Sequence, residues 1–180
     1  MSRNLGLLLA LPVLAVSQSV FAKDYLSVAD AQLLLFPTAE RFLESTVTLS
    51  KDQKRAIKKR SGMRQRWDQQ KIWRAEANGE LLGWLIADEV VGKHEFISYA
   101  TAVSPAGEIL GVEILSYRET HGDQIRDVGW RANLVGKSLE DQLQLGKDIP
   151  NISGATLSCR NVTDGVRRLL VLVELVLKDA

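Results

Sequence analysis

The first segment after residue 22 has apolar residues at helical spacing. In residues 25–45, YLSVADAQLLLFPTAERFLES, apolar positions recur every three or four residues and Pro37 interrupts them. Because proline ends a helix, the pattern predicts two short helices. The second would begin near Thr38, with Glu40 and Glu44 in its early turns.

The next segment, VTLSKDQKRAIKKRSG (47–62), carries signals for a further helix. It predicts a short extended piece, a cap at Ser50 and a helix that stops at Gly62, because serine favours helix starts and glycine favours helix ends. The basic run KDQKRAIKKR would form a solvated lysine face on this helix or, alternatively, a surface for an anionic partner.

The middle of the chain changes to a period of two. Residues 71–120 alternate and are rich in Val, Ile, Trp and Tyr, and the turns ANGE and SPAGE separate strand-like runs. We expect four or five antiparallel strands from about Lys71 to Tyr117. Such alternation implies a sheet with one face on the core and the other exposed or covered by helices.

The last third returns to helical spacing. Residues 122–151 predict loop and a short helix, and a long helix with one apolar stripe follows from Thr156. Its end, LLVLVELVL, is short for a membrane span and is interrupted by Glu174, so we expect a buried helix across the sheet. The predicted fold class is α+β, an antiparallel sheet packed against helices, with an N-terminal helical segment and a long C-terminal helix. The stripe comprises Val162, Val166, Leu169, Leu170, Val173 and Leu177.

Composition and charge narrow the class of protein. The chain has 180 residues, 46% of them hydrophobic, and a formal net charge of +1. This suits one globular domain and argues against nucleic-acid binding. The single cysteine, Cys159, cannot form an internal disulfide, and we expect a small filler rather than a reactive thiol. With only His94 and His121 as histidines, no metal site is expected.

The N-terminal residues have the pattern of a secretory signal. Arg3 precedes an apolar run, Leu5–Val16, and a polar break and the sequence VFA come before residue 23. We therefore expect residues 1–22 to be a signal peptide and the mature chain to be periplasmic in a bacterium. An uncleaved membrane tether is the alternative.

The string NISGATLSCRNV, before the last helix, combines small residues with hydroxyl groups. A helix N-terminus exposes unpaired N–H groups and binds phosphate. Gly154 and Ala155 keep the approach open, and the Thr156 hydroxyl could hydrogen-bond a phosphate or be esterified by one. The alternative is that Ser153 or Thr156 simply caps the helix.

The string SGATLSCRNVTDGV resembles the flavinylation motif of the FMN-binding domain family. Three other strings precede it in the chain, in the same order as in that family. GKHEFISYATAVSPAGEILGVEIL resembles its hairpin, YRETHGDQI resembles its glutamate-threonine-x-glycine loop, and WRANLVGK precedes SGAT. The resemblance runs from about Val90 to the C-terminus. It implies an FMN-binding domain at residues 71–180, behind the signal and an N-terminal helical segment at residues 23–70.

The resemblance also implies a covalent cofactor. In this family the threonine of the motif carries FMN through a phosphoester, installed from FAD by a dedicated flavin transferase with magnesium. Tyr117 and Trp130 would stack on the flavin or belong to the core, and Arg118 would neutralise the phosphate or lie at the surface. The cofactor residues that the resemblance implies are Thr156 as the attachment point, with Ser153, Gly154, Ala155, Leu157, Ser158, Glu119, Thr120, His94 and Tyr117.

Three positions depart from the family's pattern. The family often has an aspartate six residues before the attachment threonine, where this chain has Pro150 and, two residues earlier, Asp148. His121 replaces a common proline, and Cys159 replaces a serine or another small residue. The acceptor hydroxyl is retained, so these departures bear on secondary contacts.

The implied function is that of an exported electron carrier. The family includes subunits of sodium-pumping quinone reductases and of ferredoxin–NAD oxidoreductase complexes, along with small exported flavoproteins. The expected partners are the flavin transferase, a membrane-bound redox donor and a periplasmic acceptor. The chain has no dinucleotide glycine fingerprint or acid–base pair of a self-contained oxidoreductase. A small exported flavin reductase and a cofactor-free binding module remain as alternatives.

Overall fold

The structure is a computed structural model that describes residues 23–178. Its N-terminal part is a short strand followed by a helix. These are β1 (Lys23–Asp24) and α1 (Val28–Leu35). Ser27 starts α1 with a reciprocal capping box, in which its Oγ accepts from the Asp30 N–H at 3.1 Å and the Asp30 carboxylate accepts from the Ser27 N–H. Two orphan donors of the helix end are satisfied in this way.

The second helix expected near Thr38 is a wrong prediction. Strand β2 (Arg41–Thr48) occupies this segment and pairs antiparallel over its whole length with β3 (Gln69–Ala77). Glu44, expected in an early helical turn, instead accepts a hydrogen bond from Trp73 Nε1 on the neighbouring strand at 3.2 Å. Pairing with a distant strand overrides the local spacing of apolar residues.

Helix α2 (Lys51–Ser61) confirms the prediction for its segment. Ser50 is the N-cap and forms a capping box with Gln53. Gly62 ends the helix at a φ of 78°, a left-handed conformation that glycine adopts without steric cost. Ile57 faces the core and is fully buried.

The sheet has six antiparallel strands among the described residues. Strands β4 (Glu80–Val91), β5 (Phe96–Val103) and β6 (Ile109–Tyr117) follow β3, and the order across the sheet is β1-β6-β5-β4-β3-β2. The antiparallel strands expected between residues 71 and 117 are confirmed as β3 to β6. The two N-terminal strands extend this sheet at both edges.

Helices cover both faces of the sheet. A 3₁₀ helix (Asp123–Arg126) and α3 (Val128–Ala132) follow β6, and the last helix is α4 (Thr156–Leu172), continued by a π-helical segment (Val173–Leu177). Helix α4 and α2 lie on one face, and α1 packs on the other. The predicted stripe of α4 is buried. Within residues 23–178, no helix has the length and apolarity needed to cross a membrane.

Helix α4 approaches the sheet closely at Gly165. A Cβ atom at this position would lie 2.3 Å from Tyr99 Oη and 2.8 Å from Val90 Cγ1. A glycine inside a helix lowers the free energy of unfolding by about 0.5–1 kcal/mol relative to alanine. The cost is offset here because a larger residue would push the helix away from β4 and β5.

A buried ion pair also joins α4 to the sheet. Arg168 is 3% exposed and pairs with Asp88 on β4, which in turn accepts a hydrogen bond from Tyr99 Oη at 2.5 Å. Gln65 accepts from the same guanidinium. Burial, and then the Asp88 charge, hold the pKa of Tyr99 well above its ordinary value. The sequence pattern did not predict that Arg168 is buried.

We expect Asp88→Ala to lower the free energy of unfolding by about 3–5 kcal/mol, because Arg168 would remain buried without a counter-charge. Asp52→Ala is the matched control, since its ion pair with Arg55 lies at the surface and should contribute no more than about 1 kcal/mol. Urea unfolding followed by circular dichroism measures both. Equal losses in the two variants would contradict a structural role for the buried pair.

Candidate functional site

Helix α4 begins without a side-chain cap. Ala155 is the N-cap residue, with φ −117° and ψ 16°, and no side chain accepts a hydrogen bond there. The first helical hydrogen bond runs from the Cys159 N–H to the Ala155 carbonyl at 2.9 Å, so the amides before Cys159 have no partner within the helix. The alternative that Ser153 or Thr156 caps the helix is therefore wrong, and the helix end stays open.

The SGAT string surrounds this open end. Ser153 and Gly154 form an exposed turn, with Gly154 at a φ of 86° and open space where a side chain would be. Ala155 is buried, Thr156 is the half-buried first residue of the helix, and Leu157 is exposed. An anion thus has free access to the positive end of the helix dipole and to the threonine hydroxyl.

The glutamate-threonine loop lies directly against the first turn of α4. Tyr117 Oη is 2.9 Å from Ser158 Oγ and donates a hydrogen bond to the His121 carbonyl at 2.6 Å. Gly122 has a φ of 97°, and a Cβ atom there would lie 2.6 Å from Tyr117 Oη and 3.5 Å from Ala155 Cα. Only glycine fits this position, so the loop and the helix end meet backbone to backbone.

Glu119 joins this loop to the turn that contains His94. Its Oε1 accepts hydrogen bonds from the backbone N–H groups of His94 and Glu95, the latter at 2.9 Å. Burial alone would raise the pKa of Glu119. The hydrogen bonds from the Glu95, His94 and Lys93 amides outweigh burial and hold the pKa below its ordinary value. Glu119 therefore positions the two loops.

A further contact ties the same turn to α4. Asn161 Nδ2 donates to the Val91 carbonyl at 2.6 Å and to the Gly92 carbonyl at 3.2 Å. Sequence reasoning did not single out Asn161, although it lies within the string that resembles the flavinylation motif. The helix end, the turn at residues 92–95 and the loop at residues 118–122 thus form one connected unit.

The structure places the remaining candidate residues differently. Tyr117 and Trp130 are 2% and 3% exposed, so both rings pack in the core. Arg118 and Thr120 are exposed, and the His94 side chain is also at the surface. The structure thus brings the glutamate, rather than these exposed side chains, into direct contact with the neighbouring turn.

Two of the departures from the family's pattern have a structural role here. Asp148 accepts hydrogen bonds from the Leu143 and Gln144 N–H groups at 3.0 Å and 2.8 Å, and lies 3.3 Å from Lys137 Nζ. Its carboxylate is therefore engaged in its own loop. Cys159 is fully buried, and burial raises the pKa of its thiol, which confirms the expected small filler.

A cleft adjoins the SGAT string. It has a volume of about 800 Å³ and is open to solvent, within the size range of ligand sites. Trp130 closes one wall and donates from Nε1 to the Pro150 carbonyl at 2.8 Å. The sequence did not predict this cleft, because its walls come from two separate segments, residues 123–133 and 150–152. It is lined by residues that include Asp123, Arg126, Asp127, Trp130, Pro150 and Ile152.

Together these features define an α+β domain with an uncapped helix end near an open cleft of ligand size. Residues 92–171 match the family model of the FMN-binding domain. The match includes the hairpin, the glutamate-threonine loop and the SGAT string.

Solved structures agree on the fold. The chain is similar to the crystal structure of NqrC from Shewanella oneidensis, with a TM-score of 0.55 and 18% sequence identity over 76% of this chain and 80% of that chain. No curated protein matches the chain significantly. At this identity the likeness concerns the fold alone.

We expect Glu119→Gln to destabilise the protein by about 1 kcal/mol at neutral pH, because the charge-assisted hydrogen bonds to the amides are weakened. The folded-state pKa of Glu119 is depressed, so its contribution is present above the ordinary value of 4.5 and is lost as pH falls through the folded value. The difference between wild type and variant should therefore vanish in acid.

Urea unfolding of both proteins at neutral pH and well below pH 4.5 tests this. Glu80→Gln, at an exposed glutamate that begins β4, is the matched control and should show little difference at either pH. A difference for Glu119→Gln that stays the same in acid would contradict the role given to its carboxylate.

Proposed function

We propose that this chain is an exported electron-transfer protein that carries one FMN as a phosphoester on Thr156. The observation that carries the proposal is the position of the Thr156 hydroxyl at the first residue of an uncapped helix, beside the glutamate-threonine loop. The family match supports FMN as the cofactor.

The chain's own groups fit a flavin phosphate at this place. The amides of the first turn and the helix dipole favour an anion there. Gly154 leaves open space on the approach. The nearby carboxylate of Glu119 is already compensated by the backbone N–H groups that it accepts from, so its charge opposes a phosphate less than a free carboxylate would.

The cleft beside residues 150–152 is the place that we assign to the flavin ring. Its lining includes residues 150–152, which lie only a few residues before Thr156, and Trp130 and Pro150 fix its wall through a hydrogen bond. When bound, FMN accepts and releases one or two electrons. The chain supplies the attachment oxygen, the orientation of the phosphate and the shape of the cleft.

Covalent attachment suits the periplasmic location that the N-terminal sequence predicts. Free FMN is scarce outside the cytoplasm, and a carrier that held it reversibly would lose it by dilution. The partners in this proposal are a flavin transferase that installs the FMN, a membrane-bound donor and a periplasmic acceptor. The fold likeness to NqrC supports a role beside a membrane redox system.

A small flavin reductase with its own substrate is the second candidate, and the size of the cleft favours it. It would turn over with a soluble electron donor and acceptor, whereas a carrier needs its protein partners. A cofactor-free binding module is disfavoured because the uncapped end of α4 has no evident structural purpose.

The decisive variant is Thr156→Val, co-expressed with a flavin transferase. The attachment step joins the Thr156 oxygen to the FMN phosphorus, releases AMP from FAD and leaves the threonine proton in solution. We expect wild type to be yellow after denaturation and to gain the mass of one FMN less one water. The valine variant should remain folded and colourless.

Ser153→Ala is the matched control, since it removes a hydroxyl from the same turn but not the proposed acceptor. It should retain the covalent flavin. Covalent flavin on folded Thr156→Val protein would overturn the attachment site, and a wild type that never gains the mass would overturn the proposal.

A further inference from the structure

The segment from α2 to Arg66 concentrates positive charge. Residues 51–66 contain eight Lys or Arg residues and one Asp, in a chain whose formal net charge is only +1. Within residues 23–178, three of the eight are in ion pairs, Lys54 with Asp68, Arg55 with Asp52 and Arg60 with Glu174. The other five form what we call the basic face. It consists of Lys51, Lys58, Lys59, Arg64 and Arg66, all exposed.

Stability of the helix does not explain this arrangement. Like charges four residues apart, such as Lys51 with Arg55 and Lys54 with Lys58, repel by about 0.2–0.5 kcal/mol each. Lysine at the first helical position also opposes the helix dipole. Apart from the Asp52–Arg55 pair, only the basic residues of the last turn are favourable for the isolated helix. The positive charge of this segment is therefore better explained by binding to an anionic surface than by a contribution to the stability of the helix.

The composition of the face favours a lipid bilayer over a specific protein partner. Lysine dominates α2, and lysine is depleted in protein interfaces, whereas clusters of four to eight basic residues are typical of contacts with anionic lipids. Trp67 follows the face directly and is 45% exposed, as is common for tryptophan at membrane–water boundaries. Ile57 faces the core, so α2 would rest on the headgroups rather than insert.

The location of the face agrees with this use. Arg60 Nη2 lies 2.8 Å from Glu174 Oε1, which places α2 against the far end of the last helix. Glu174 is 18 residues from Thr156, roughly 27 Å along a helix axis. Arg64 and Arg66 lie nearer the site, because they line one cavity with Val91 and Asn161. The part of the face that is remote from the open end of α4 is therefore α2 itself.

We propose that α2, which lies against the end of α4 remote from the candidate flavin site, forms a contact surface for an anionic phospholipid bilayer. The surface holds the phosphate-bearing headgroups through long-range attraction and not through a binding pocket. This inference goes beyond the proposed function and does not depend on flavin attachment.

The test is co-sedimentation of the full chain with phosphatidylglycerol vesicles and with neutral phosphatidylcholine vesicles. The neutral vesicles set the baseline, because the apolar run Leu5–Val16 gives the chain some affinity for any bilayer. We expect at least roughly tenfold stronger binding to the anionic vesicles at low salt, falling towards the baseline as salt increases.

A triple variant, Lys51→Gln, Lys58→Gln and Lys59→Gln, should lose roughly tenfold or more of the binding to anionic vesicles. Lys23→Gln, Arg118→Gln and Lys147→Gln together form the matched control, because they remove the same charge from exposed positions elsewhere. This control should bind within about twofold of wild type. Circular dichroism confirms that both triple variants are folded.

Three outcomes would overturn the proposal. The first is equal binding of wild type to anionic and neutral vesicles. The second is an equal loss in both triple variants, which would make net charge rather than α2 responsible. The third is binding of soluble polyglutamate through α2 with no preference for anionic vesicles, which would assign the face to an acidic protein instead.

Discussion

The close packing of α4 on the sheet is the constraint on which the candidate site depends. Gly165 allows the helix to touch Tyr99 and Val90, and the buried pair of Arg168 and Asp88 fixes the same helix to β4. A charged pair in such a position is stable only when both partners are present. These contacts fix the rotation of α4 about its axis and its distance from the sheet. They therefore also fix the position of its first residue, Thr156.

From that placement the rest of the site follows. The first turn of α4 meets the loop after β6 through Tyr117 and Ser158, and Asn161 reaches the turn between β4 and β5. Glu119 then links that turn to the loop. Three segments distant in sequence are held around one open helix end, and none of these contacts blocks the approach to Thr156.

Local sequence signals predicted those elements whose cause is local. The capped helix between Ser50 and Gly62, the strands β3 to β6 and the long C-terminal helix all rest on caps, turns or periodicity within one segment. Strand β2 could not be predicted from its local sequence, because its conformation depends on pairing with β3. The flavinylation string marked Thr156, but the roles of Asn161 and the buried Arg168 depend on groups about 70 to 100 residues away.

The central claim is that the oxygen of Thr156, at the open end of α4, bears the flavin. Trypsin should release residues 148–160 as one peptide, DIPNISGATLSCR, with Ser153, Thr156 and Ser158 as its three hydroxyl side chains. Fragmentation of this peptide from protein co-expressed with the flavin transferase measures the claim directly. The expected result is one FMN phosphoester on Thr156. An unmodified peptide, or a flavin on either serine, would contradict it.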